Sequence, residues 1–166
     1  LTEVARIRSE MVEVARKAGY DSREAFIQHL RTDPQYYAKS PEELMEKTAR
    51  VAKYIDGKMP SLFGKLPRLP YGLREIPKET AEGTTTAYYN PGSPDVGISG
   101  TYYVNTSKLN QRPFWEIPAL SMHEAVPGHH HQIALQQELP LSDFRKNGAF
   151  FTAFVEGWGL YSERLG

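Results

Sequence analysis

The chain has 166 residues, 40% of them hydrophobic, and its 20 basic and 20 acidic side chains cancel to a formal net charge of zero. That length and apolar content support a folded domain with its own core and exclude a disordered chain. Neutrality gives no electrostatic case for nucleic acid or an anionic membrane as a partner, and the absence of cysteine removes disulfides and thiolate metal sites.

In chain order, residues 1–59 read as helices. Val4, Ile7, Met11, Val14 and Ala18 recur at three- and four-residue steps and share one face. Gly19 suits a left-handed stop. Ser22 caps a second helix carrying Phe26, Ile27 and Leu30, with Pro34 after its end. Ser40-Pro41-Glu42-Glu43 is a start signal: Ser40 caps, Pro41 takes the first helical position and Glu43 completes a capping box. Leu44, Val51 and Ile55 mark that helix's buried face. Residues 60–112 are broken by Pro60, Pro67, Pro70 and Pro77 and predict loops with a small sheet. Its strand candidates are Leu73–Ile76, Thr85–Tyr89 and Thr101–Val104, with a loop over Asn90–Asp95. From about Pro113 to Gly166 the pattern is helical again, interrupted at Pro140 and Ser142, with a last helix from about Asp143 to Leu165. The fold class expected is mainly α with a small β-sheet (α+β), in one folded piece of three segments.

No apolar run approaches the roughly 20 residues of a membrane helix, so no membrane segment is expected. The N-terminus is charged and amphipathic, without a signal-peptide core, and begins at Leu1. The expectation is a processed or excised piece of a longer protein, whose localisation stays open.

Four of the five histidines fall in His123-Glu-Ala-Val-Pro-Gly-His-His-His-Gln132. Imidazole is the commonest metal ligand, and the adjacent Glu124 is the proton acceptor a metal-activated water needs. In the zinc-peptidase helix His-Glu-x-x-His, two histidines one turn apart reach the same ion. Here Pro127 stands at the second position, and His129 and His130 lie six and seven residues after His123. In a regular helix His129 would face elsewhere, and His130 would sit roughly 10 Å along the axis. Neither closes a site with bonds of about 2 Å. Pro127 interrupts helical hydrogen bonding and Gly128 permits backbone angles other residues avoid, so together they can bulge the helix and absorb two residues. His123 and His129 are then the expected ligands, with His130 as the alternative. Glu156, a carboxylate in the apolar stretch Ala153–Trp158, is the expected third ligand, because burial without a partner would be costly there. Glu163 is a weaker candidate. Gly157 and Gly159 suit a close approach by another backbone or a substrate.

The His123–Gln132 run, preceded by Gly100-Thr-Tyr-Tyr-Val-Asn-Thr106 and followed by Phe154-Val-Glu-Gly-Trp-Gly-Leu-Tyr-Ser-Glu163, resembles the bacterial family called domain of unknown function 885. Leu66-Pro-Arg-Leu-Pro70 and Ala87-Tyr-Tyr89 extend the likeness over nearly the whole chain. That family looks like a distant branch of the zinc metallopeptidases, and the motif spacing is also similar to that of the dipeptidyl peptidase III family. The resemblance implies an incomplete, helical, zincin-like core within a longer enzyme, whose remaining chain completes the fold. It also implies one zinc ion on His123, His129 or His130, and Glu156, with Glu124 as general base. The function expected is zinc-dependent hydrolysis of peptide substrates. A strand at Thr101–Val104 would hold an extended peptide by edge addition, with Tyr102, Tyr103 or Tyr161 as substrate contacts. The alternative is a non-catalytic metal- or peptide-binding module; a third reading is a metal-free helical protein whose histidines pack.

Overall fold

A computed structural model describes residues 1–166. The chain forms two compact units, Leu1–Tyr37 and Ala38–Gly166.

The first unit holds α1 (Thr2–Lys17) and α2 (Arg23–Thr32). The chain leaves α1 through Gly19 at φ +86°, and Ser22 Oγ accepts the Ala25 N–H at 3.1 Å to start α2. The periodic apolar face of α1 is exposed at Val4, Ile7, Met11 and Val14. Tyr20, Phe26, His29 and Tyr36 form an aromatic cluster, which accounts for the histidine outside the motif.

The second unit opens with α3 (Pro41–Leu62). Ser40 Oγ accepts the Glu43 N–H at 3.2 Å, while the Glu43 carboxylate takes the Lys39 N–H at 2.7 Å, one residue before the usual capping-box partner. The helix runs past residue 59 with Pro60 inside its last turn, later than the proline suggested. Its fully buried positions are Leu44, Thr48, Ala52 and Met59, with Val51 packed beside the core.

Three strands follow, β1 (Tyr71–Glu75), β2 (Ala87–Asn90) and β3 (Gly100–Val104), with α4 (Lys78–Ala81) between the first two. The sheet order is β1-β3-β2: β1 runs parallel to β3 from Tyr71 opposite Gly100, and β2 antiparallel from Ala87 opposite Val104. β3 is therefore the central strand, with both edges paired. The expected peptide docking along Thr101–Val104 is corrected: no backbone edge is free there to take another strand. Buried Asn105, just past β3, donates to the carbonyls of Ala81, Thr84 and Thr85 at 2.6–3.2 Å and fixes the approach to β2.

Helices α5 (Ile117–Glu124), α6 (His129–Glu138) and α7 (Thr152–Glu163) complete the unit. The single helix expected from Asp143 is divided. Phe144–Gly148 forms a wide turn closed by Ala149 N–H to Phe144 C=O at 2.8 Å, and α7 starts afresh at Thr152. The core gathers Leu44, Ala87, Tyr102, Val104, Ile117 and Ala125, joining α3, the sheet and α5. The protein is thus mainly α with a small β-sheet.

Candidate metal centre

The site begins where helix geometry fails. α5 ends at Glu124 and α6 starts at His129; the intervening Ala125–Gly128 contains a cis Val126–Pro127 bond. The Ala125 carbonyl accepts from His130 N–H at 3.1 Å, a wider span than the usual helical bond. Gly128 is required by crowding. Its φ is −72° and its ψ −133°, and a β-carbon there would strike the backbone carbonyls of Met122 and His123. Trp158 Nε1 donates to the Pro127 carbonyl at 2.7 Å and fastens the break to α7.

This break brings two imidazoles together. The rings of His123 and His129 meet edge-on with centroids 4.7 Å apart. Glu156 on α7 approaches both, with Oε2 3.4 Å from His123 Nε2 and Oε1 3.8 Å from His129 Nε2. One donor atom from each of the three residues lies within 4.8 Å of the others. Zinc–ligand bonds of about 2.0–2.2 Å at tetrahedral angles separate donors by roughly 3.3–3.5 Å, so small side-chain movements bring this set to coordinating distance. Two imidazoles and one carboxylate are a donor set suited to a divalent metal.

Helix α7 supplies more than Glu156. Glu156, Gly159 and Glu163 follow at three- and four-residue steps and share a face. Gly159 packs under the His123 ring, where a β-carbon would lie 2.6 Å from Cε1 and 2.7 Å from Nε2. The close approach expected of this glycine is therefore to a side chain, while Gly157 has open space around it. Glu163 Oε1 sits 2.6 Å from His123 Nδ1, on the opposite side of the ring from Glu156. A carboxylate on Nδ1 fixes the tautomer that leaves Nε2 free to bind a metal. The step from 156 to 163 was the available sequence signal for this residue. Glu156 itself is 48% exposed, because the aromatic stretch around it lies largely at the surface. Burial therefore does not explain this carboxylate, although Glu156 does join the histidines.

Glu124 is buried at the end of α5. Burial raises its pKa from the ordinary carboxylate value, His123 opposes the rise, and the charges of Glu156 and Glu163 add to it. The Tyr89 backbone N–H also favours its ionised form. Burial lowers the pKa of His129, with His123 contributing in the same direction, which favours the neutral imidazole that ligation requires.

The other expected residues lie elsewhere. His130 Nδ1 lies 2.9 Å from the Tyr89 hydroxyl, and the residue is not in the donor group. His131 packs on Phe63 with centroids 4.7 Å apart. Tyr102 is only 1% exposed and belongs to the core. Tyr103 stacks on Tyr88, on the sheet face opposite Tyr102, with centroids 4.9 Å apart. Tyr161 is exposed on α7 with its ring beside Trp158.

A comparison with curated proteins gives no match. A solved structure described as "The crystal structure of the putative lipoprotein from Colwellia psychrerythraea" is similar over 99% of this chain, with 31% sequence identity and a TM-score of 0.88. This chain spans 29% of that one. The family described as "Bacterial protein of unknown function (DUF885)" matches residues 1–166. The chain belongs to this DUF885 family.

Proposed function

We propose that this chain carries the catalytic centre of a zinc-dependent peptidase with a zincin-like arrangement. His123, His129 and Glu156 hold one zinc ion and Glu124 serves as general base. The observation that carries this reading is the convergence of two imidazole nitrogens and a carboxylate oxygen within 4.8 Å beside a buried, proton-avid carboxyl group. A bound zinc ion supplies Lewis acidity to a water molecule and to the scissile carbonyl. Glu124 takes the proton of the attacking water and delivers it to the leaving amine; its raised proton affinity suits both steps. Glu163 holds His123 in the ligating tautomer. The proposal extends to a longer chain whose remainder covers the exposed Phe150, Phe151 and Phe154 and completes the substrate cleft; the 29% coverage of the similar structure supports this.

The test is Glu124→Gln in the full-length protein loaded with zinc. Loss of peptide hydrolysis by about 10²-fold or more, with zinc retained, is the expected result for a general base. Undiminished hydrolysis would remove Glu124 from the chemistry. Wild-type protein that binds zinc without cleaving peptides would favour a non-catalytic binding module.

A further inference from the structure

His130 follows a proposed ligand directly, yet both of its ring nitrogens are engaged away from the donor group. Nδ1 lies 2.9 Å from the Tyr89 hydroxyl, and the Leu69 backbone carbonyl is the partner on the other side. The Tyr71 and Tyr89 rings flank it, with centroids 4.9 and 5.5 Å away, and His130 is 2% exposed. Burial pushes the Tyr89 phenol up to about 12, so its hydroxyl keeps a proton to donate. The Leu69 carbonyl can only accept, so Nε2 carries the proton that faces it, and Nδ1 of the neutral ring is left to accept from the Tyr89 hydroxyl.

Tyr89 is also held at its other end. It lies in β2, and its backbone N–H faces the Glu124 carboxylate. The strand pairing explains this: Asn105 N–H donates to the Thr86 carbonyl, so in alternation Ala87 and Tyr89 turn their backbone groups away from β3. Gly100 of β3 lies against the Tyr89 ring so closely that a β-carbon would meet the hydroxyl. One tyrosine thus touches His130 with its side chain and Glu124 with its main chain.

We propose that His130 is a positioning residue rather than a metal ligand: through the Tyr89 hydroxyl it pins β2 beside Glu124 and so fixes the place of the general base. The proposal rests on the peptidase reading for the role of Glu124, but the brace itself is a matter of structure. Its test uses the full-length protein, with Tyr89→Phe to remove the hydroxyl and His130→Asn to keep a side-chain acceptor near Nδ1. Three quantities are measured: zinc affinity by competition with a chromophoric chelator, amide hydrogen exchange of residues 87–90, and hydrolysis of a quenched fluorescent peptide library.

For Tyr89→Phe, the Tyr89 amide should exchange about tenfold faster, in proportion to the loss of one hydrogen bond. Turnover should fall by a similar factor at unchanged KM, and zinc affinity should stay within about twofold. His130→Asn should keep wild-type zinc affinity and recover most of the amide protection. A loss of about 10²-fold in zinc affinity in His130→Asn would make His130 a ligand and overturn the proposal. Unchanged amide exchange in Tyr89→Phe would overturn it too. Failure of the wild type to cleave any peptide would instead defeat the peptidase reading, while exchange and zinc affinity would still decide the brace.

Discussion

The α5–α6 junction and helix α7 face each other across the donor group and are built in opposite ways. From Ser121 to Gln132 almost every residue is buried, including His129, His130 and His131. Along α7, Phe154, Leu160 and Tyr161 are exposed and Glu156 is nearly half exposed. The imidazoles therefore sit where packing allows little movement, and the carboxylate sits where it can adjust. The histidine side sets the position, and Glu156, with its oxygens 3.4 Å from His123 and 3.8 Å from His129, is the member of the group best able to adjust.

The contrast is sharpest at two glycines. Gly128→Ala places a methyl group against the carbonyls of Met122 and His123. The expected loss is about 3 kcal/mol, the upper end for overpacking, read as a lower denaturant midpoint with unchanged slope. Wild-type stability in this variant would mean the junction is softer than its packing implies.

A second expectation concerns alkali and the buried side of the sheet. Burial raises Tyr102 from 10.0 to about 12. Below pH 10 its contribution is complete. Between pH 10 and 12 the unfolded chain ionises first, so stability falls, by about 3 kcal/mol once the folded value is passed. Chemical denaturation at pH 8 and pH 11 should show a smaller drop for Tyr102→Phe than for wild type; equal drops would count against the assignment.

Glu163→Gln tests how far the histidine side depends on α7. Removing the carboxylate on His123 Nδ1 should weaken zinc binding about 10–100-fold, the usual effect of a partner behind a ligand. An unchanged affinity would leave His123 held by packing alone. The smallest effect belongs to Gly157→Ala. With open space there, the substitution should stabilise α7 by about 0.5–1 kcal/mol, visible as a slight rise in Tm.

Much of this contrast was legible in the amino acids, because local chemistry carried it. Ser40, Pro41 and Glu43 mark the start of α3, and Pro127-Gly128 mark the break that sets His123 beside His129. What stayed hidden depended on partners distant in the chain. Thr101–Val104 reads as a strand, but its central place follows from pairing with Tyr71–Glu75 and Ala87–Asn90. The periodic apolar face of α1 and the apolar stretch of α7 suggest burial, yet periodicity and composition do not say what covers them. Glu163 ranked as the weaker candidate between polar Ser162 and Arg164, because its contact with His123 spans 40 positions and leaves no local trace. Gly148 sits in the wide turn that divides the last helix, and a single glycine in an aromatic segment gave little warning of it.

The indole bond from Trp158 to the Pro127 carbonyl gives the protein a built-in optical gauge. The chain has two tryptophans, and the other, Trp115, is 45% exposed. With Trp115 replaced by Phe, emission comes from one indole resting on the helix break. Any rearrangement that accompanies metal loading would then be visible in solution without a label.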